Sequence, residues 1–168
     1  MILHCQEGVI ARRQVLATGR APAYVARRIR RREWVVVHPG VYVNHTGPLT
    51  WRQRAWAAVL AYRTAALAGR SAIRAHEGPG RRQFDDGQPI EVIVRHGRRP
   101  KELAGVQARE ARGFDETVQL DRHPPRQRYD DAIIELADRA TDELAAIAVL
   151  ADACGARRTT ASRLLGRS

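Results

Sequence analysis

Lysine is almost missing from this chain: Lys101 stands alone, and 28 of the 29 basic residues are arginine. A restriction-type nuclease centre needs an acidic residue two positions before a lysine, so that a metal and an ammonium act on one phosphate. Position 99 is Arg99, which excludes that constellation. Cysteine is scarce too. Cys5 and Cys154 lie far apart, which gives neither a disulfide framework nor a metal spacing and suits a reducing cytosol. Long apolar runs are absent: stretches such as 55–62 are too short for a membrane span. The opening MILHCQEG has no basic segment followed by an apolar one, so no secretory signal is expected and the expected location is the cytoplasm.

Other catalytic patterns are missing as well. There is no Walker loop, no Gly-x-Ser-x-Gly elbow and no His-Glu-x-x-His pair. A two-metal nucleotidyltransferase wants a Gly-Ser turn followed by two aspartates one residue apart. Asp85-Asp86 and Asp130-Asp131 are adjacent instead, and adjacent side chains point to different sides of a helix or strand. The six histidines are scattered, and His4-Cys5 has no partners at ligand spacing. No catalytic residue, metal or cofactor is expected, and the chain reads as a non-enzyme.

What is present is arginine. Basic residues number 29 against 18 acidic ones, a net charge of +11 that favours a polyanionic partner. An arginine bias also arises from a GC-rich genome, so position has to decide what charge cannot. The 168 residues suffice for one domain or two small ones. Eight arginines fall between Arg12 and Arg32, inside the segment GVIARRQVLATGRAPAYVARRIRRREWVVVHPGVYV, residues 8–43. In it, Val9 and Ile10 lead into a short helix over 11–18, with Gly19 at the position where a left-handed residue ends a helix. Pro22 suits the first turn of a second helix, which runs to Arg31. Val25 and Ile29 are its i, i+4 core pair. At about 100° per residue the opposite face carries Ala23, Arg27, Arg30 and Arg31, with Tyr24 at its edge.

A cationic face opposite a thin apolar stripe is the pattern of a recognition helix. Its early members, Ala23, Tyr24 and Arg27, are expected nearest base edges. Arg12, Arg13, Arg28, Arg30 and Arg31 are expected near phosphate. After Glu33 the period changes: Trp34-Val35-Val36-Val37-His38, Pro39-Gly40 and Val41-Tyr42-Val43 read as strand, turn and strand. That hairpin has the place of a wing and brings His38 towards DNA. The competing reading is a merely solvated arginine face.

Residues 45–48 read as a linker, dividing the chain into 1–48 and 49–168. Thr50 to Gln53 is a capping box opening a helix whose Trp51 and Trp56 belong to a core rather than a stacking surface. A strand and helix follow within 65–75, then a polar loop through Arg81-Arg82 to Gly87. Strands are expected at 89–95, 106–111 and 117–120, with the basic turn His96 to Pro100, and helices at 129–140 and 142–153. A last turn or two begins at a threonine cap near Thr159-Thr160. Ala151 and Gly155 have the spacing of a second helix-turn-helix corner, with only one marginal helix after it. The fold class is therefore α+β: an N-terminal winged helix-turn-helix followed by a small, mainly antiparallel sheet with packed helices.

These residues carry a resemblance. The GVI start, the arginine-rich helix and WVVVHPGVYV resemble the N-terminal winged helix of the AbiEi-type antitoxin family. Thr50-Trp51, Arg70-Ser71-Ala72, Ile90 to Val94 with His96-Gly97-Arg98-Arg99, and Pro124-Pro125-Arg126 leading into 131–137 continue it over nearly the whole chain. The chain departs from the family at Arg20, where an apolar residue is usual, at Arg32, where a glycine commonly ends the recognition helix, and at Ala68-Gly69, which replaces Ser-His.

The resemblance implies a DNA-binding regulator that represses its own operon and counters a nucleotidyltransferase-like toxin without a stable complex, the type IV arrangement. It implies double-stranded operator DNA as partner, with a toxin or its RNA target met indirectly, and no membrane. Related longer proteins carry a very-short-patch-repair-like nuclease domain, relative to which this chain reads as truncated. The alternative is a non-catalytic remnant of such a DNA-targeting nuclease.

Overall fold

A computed structural model describes residues 2–78 and 86–166 and is a mixed α+β structure with two sheets. The N-terminal part runs α1 (Ile2–Cys5), β1 (Val9–Ala11), α2 (Arg12–Ala17), α3 (Pro22–Arg30), β2 (Val35–His38) and β3 (Val41–Val43). Its strands form one antiparallel sheet in the order β1-β3-β2. The segment Val9-Ile10-Ala11 was expected to lead into and join the first helix; it is a strand instead. All three residues are buried, and they pair with Val43, Tyr42 and Val41. Two β-branched residues in a row lose χ1 freedom in a helix and pack well on a pleated surface.

The helix α4 (Trp51–Ala61) follows a complete capping box, in which Thr50 Oγ1 accepts from the Gln53 amide and Gln53 Oε1 accepts from the Thr50 amide. Its residues 55–60 are all buried, more than the expected apolar stripe alone, while the charged residues fall in its first turn. Trp56, Ala57 and Leu60 pack on Val9, Ala11, Val41 and Val43 of the first sheet. Ala55, Ala58 and Val59 pack on Leu67, Ile90 and Val92 of the second and on Ile133, which lies in the helix 129–138. One helix thus serves two cores.

The second sheet contains β4 (Ala65–Leu67), β5 (Ile90–Arg95), β6 (Val106–Ala111), β7 (Val118–Gln119) and β8 (Arg126–Gln127), in the order β6-β5-β4-β8-β7. The expectation of a mainly antiparallel sheet is corrected here. β5 pairs with β6 in parallel over six residues and β4 with β8 in parallel, while only β4–β5 and β7–β8 are antiparallel. Residues 96–105 join β5 to β6 with no intervening helix. A connection this short usually signals a hairpin, because parallel neighbours ordinarily need a helical crossover.

The remaining helices among the described residues are α5 (Gly69–Glu77), the short α6 (Phe114–Thr117), α7 (Tyr129–Asp138), α8 (Glu143–Gly155) and α9 (Ala161–Leu165). Asp142 and Thr160 cap α8 and α9 through their side chains. The corner after Gly155 does not present α9 as a reading helix: Leu164 is buried and Arg163 bonds Asp130 of α7 at 2.7 Å. Among the described residues no helix is long and apolar enough to cross a membrane.

Candidate nucleic-acid interface

The helix α3 begins at Ala21, whose extended backbone leads into Pro22 at the first helical position, and its first turn carries no acidic residue. Gly19 has φ +80, the left-handed conformation expected where α2 ends. From behind, α3 is held by Val25, buried with Ile10, Val15, Trp34 and Tyr42, while Tyr24 and Ile29 pack against that cluster. On the opposite side Ala23, Ala26, Arg27 and Arg30 are exposed. At its end the Arg32 amide donates to the Ile29 carbonyl at 2.9 Å and the Glu33 amide to the Arg28 carbonyl at 3.0 Å. Those two bonds are a Schellman closure, with Arg32 at φ +56 in the place that favours glycine.

Tyr24 organises the arginines around it. Its ring meets Trp34 edge-on at 5.9 Å, and Trp34 stacks on Tyr42 at 5.9 Å. The guanidinium carbons of Arg20, Arg27 and Arg28 lie 5.0, 5.6 and 5.1 Å from the Tyr24 centroid, within reach of the ring's negative face. This gives Arg20 a defined place over the Tyr24 ring. Arg28 is committed: Nε and Nη2 donate to Tyr24 Oη at 3.0 and 2.8 Å, and Nη1 to Glu33. The Glu33 bond, then the Tyr24 bond, hold its pKa above the usual arginine value.

The other expected contact residues separate into two groups. Arg27 and Arg30 are exposed and make no hydrogen bond or ion pair among the described residues. Arg31 is exposed, 4.0 Å from Glu33. Arg12 is exposed at the start of α2, where its amide donates to the Gly40 carbonyl at 2.7 Å and ties that helix to the hairpin turn. A shallow concavity of about 560 Å³, lined by Arg20, Ala23, Tyr24, Arg27 and Arg30 among others, runs along this face.

Arg13 departs from the expectation. It lies on the side facing α4, where Nη1 donates to the Leu60 carbonyl at 2.6 Å and Nη2 to the Tyr62 carbonyl at 3.1 Å. It satisfies carbonyls left open at the end of α4 instead of standing beside α3. His38 follows the bulge between Val36 and His38 and is half-buried. Burial lowers its pKa, so near neutral pH it brings no charge to a phosphate.

A polar cluster in the second sheet escaped the sequence reading. Glu91 of β5 and Glu135 of α7 share Arg139 Nη1, which lies 3.2 Å from Glu91 Oε2 and from Glu135 Oε1. Glu135 also meets Arg109 and accepts from Gln127 Nε2 at 2.9 Å, while Gln127 Oε1 accepts from the Gly69 amide at 2.9 Å. Two carboxylates facing two guanidiniums make a balanced network that pins α7 and α5 to the sheet. Gly69 has φ +46, a left-handed conformation that favours glycine, and a Cβ there would meet Glu91 Oε2. No local spacing announces the cluster; its members meet only across the sheet.

Among the described residues no group of three His, Cys, Asp or Glu side chains is placed to hold a metal. Arg98 and Arg99 are exposed in the β5–β6 connection, whereas Arg81-Arg82 lies outside the described residues. No family model matches the chain, and no curated protein matches it.

Proposed function

We propose that the N-terminal part is a winged helix-turn-helix that binds double-stranded DNA, with α3 in the major groove and the Pro39-Gly40 turn near the backbone. The observation that carries this reading is the outer face of α3: Arg27 and Arg30 are exposed, with no side-chain hydrogen bond or ion pair among the described residues, on a helix fixed from behind by Val25. Strand β1 ahead of α2 pairs with the return strand of the hairpin, so helix, turn, helix and wing share one small sheet. Ala23 and Arg27 then lie nearest the base edges, and Arg12, Arg30 and Arg31 nearest phosphate.

Salt dependence tests the reading. Neutralising about three phosphates, by Arg12, Arg30 and Arg31, gives a slope near −2.7 in log affinity against log salt, about a 40-fold loss between 50 and 200 mM. Replacing Arg27 and Arg30 together with alanine removes one phosphate contact and one base contact, which lowers the slope to about −1.8 and weakens binding at every salt concentration, whereas Arg28→Ala, which removes a charge already paired with Glu33, leaves the slope near the parent value. Fluorescence anisotropy on DNA from upstream of the chain's own gene measures all three. An affinity indifferent to salt, or to the double substitution, removes the proposal.

The resemblance to AbiEi-type antitoxins supports the regulatory setting: repression of the chain's own operon, and relief of a nucleotidyltransferase-like toxin by residues 49–168, acting on the toxin or its RNA target without a stable complex. Co-expression with the toxin from the adjacent reading frame separates the two roles. The Arg27→Ala, Arg30→Ala protein is expected to lose repression and still rescue growth. Failure of the parent chain to rescue would overturn the antitoxin reading and leave DNA binding standing.

A further inference from the structure

Between α2, α4 and the segment entering β8 lies a cavity of about 610 Å³ whose wall is largely apolar, formed by Trp56, Val59, Leu60, Ala65, Leu120 and Pro125. Its volume is in the range of sites that enclose a small molecule. Two arginines stand in the same wall, Arg13 and Arg63, and no carboxylate does. Arg13 is fixed by the Leu60 and Tyr62 carbonyls, which use one donor on each terminal nitrogen and leave the rest of its fork for another acceptor. Arg63 is exposed and makes no hydrogen bond or ion pair among the described residues. Burial, and then the like charge of Arg63, push the Arg13 pKa down. The wall also holds two buried polar atoms with no hydrogen-bond partner, Gln6 Oε1 and Trp56 Nε1. Buried polar atoms in native proteins are almost always paired, so unpartnered ones point to an absent acceptor or donor.

We propose that this cavity binds a small organic carboxylate with an apolar body, its acid end between Arg13 and Arg63 and its body against Trp56, Leu120 and Pro125. The apolar wall rules against a bare inorganic anion, since most of the wall would then face nothing it can pair with. The two guanidiniums, with no acid beside them, rule against a neutral hydrocarbon. Trp56 stacks on His123 at 6.0 Å, which gives the body a flat ring to lie against. The site shares no wall residue with the outer face of α3: Arg27 and Arg30 are not in its wall.

Titration of the full chain with indole-3-acetate and with octanoate, each against its neutral amide, tests the proposal. The readout is the ¹⁵N–¹H signal of the Trp56 indole, assigned through Trp56→Phe. Saturable binding of either acid, at least tenfold tighter than its amide and weakened at least tenfold by Arg63→Glu, is the expected result. Arg63 is exposed, so this substitution leaves the fold intact, and a matching far-ultraviolet circular dichroism spectrum checks that. Three outcomes overturn the proposal: no saturable shift at millimolar acid, which would make this a water-filled cleft only; equal binding of acid and amide; or binding untouched by Arg63→Glu.

Discussion

Replacing Arg32 with glycine should make the protein more stable, although it deletes a side chain. Arg32 closes the Schellman turn after α3 with φ +56, and its side chain is exposed. An L-residue with a Cβ costs about 1–2 kcal/mol in the left-handed region. Glycine removes that cost and adds about 0.5–1 kcal/mol of extra unfolded-state freedom. The net gain is about 0.5–1 kcal/mol, which for a domain of this length raises the melting temperature by about 1–4 °C. Two controls isolate the cause. Arg32→Ala also removes the charge but keeps the Cβ, so it should gain little. Arg30→Gly falls at the last residue of α3, with helical backbone, and should lose up to about 1 kcal/mol. Urea unfolding followed by circular dichroism at 25 °C ranks the three. If Arg32→Gly proves as damaging as Arg30→Gly, the left-handed closure at position 32 is wrong, and with it the angle at which the chain turns from α3 into the hairpin.

Gly69→Ala should act in the opposite direction, losing at least about 1–2 kcal/mol, because φ +46 disfavours any Cβ and this one would displace Glu91 from Arg139. Trp34→Ala should cost about 3–5 kcal/mol and abolish the packing of Tyr24 and Tyr42, seen as loss of near-ultraviolet circular dichroism. His76 offers a pH test. Burial is the main cause lowering its pKa from 6.5, and its Nε2–H donates to the Gln127 carbonyl at 2.8 Å. A base whose folded pKa is depressed contributes stability that is whole above pH 6.5 and lost as pH falls through the folded value. Unfolding midpoints at pH 7.5 and 5.0 should therefore differ less in His76→Gln than in the parent; equal differences would refute the assignment.

The N-terminal part was legible because its signals are local. Gly19 takes the left-handed φ that a helix stop requires, Pro22 opens α3, and Val25 is buried opposite Arg27 and Arg30. Thr50 and Gln53 form the capping box their spacing announces. Local signals ran out where partners are distant. Arg13 sits beside Arg12 in sequence, and nothing in that pair tells which guanidinium faces solvent and which reaches carbonyls at Leu60 and Tyr62. The β5–β6 connection reads as a hairpin by length and is a parallel crossover without a helix.

The same limit explains how α4 links the two halves. Its sequence shows a broad apolar stripe, and residues 55–60 are buried on every side. Only the structure assigns Trp56, Ala57 and Leu60 to one sheet and Ala55, Ala58 and Val59 to the other. A consequence is that the segment bearing α3 is not a module hung on a loose linker. Its sheet shares a buried helix with the second core, and Arg13 fastens α2 to the end of that helix. A change in the cavity beneath Arg13 therefore acts on α2 directly, and α2 is the helix against which α3 turns. Arg63→Glu or a bound carboxylate should shift the amide signals of Arg13 and Gln14 before those of Arg27 and Arg30. The reverse order in a titration followed by NMR would contradict that route.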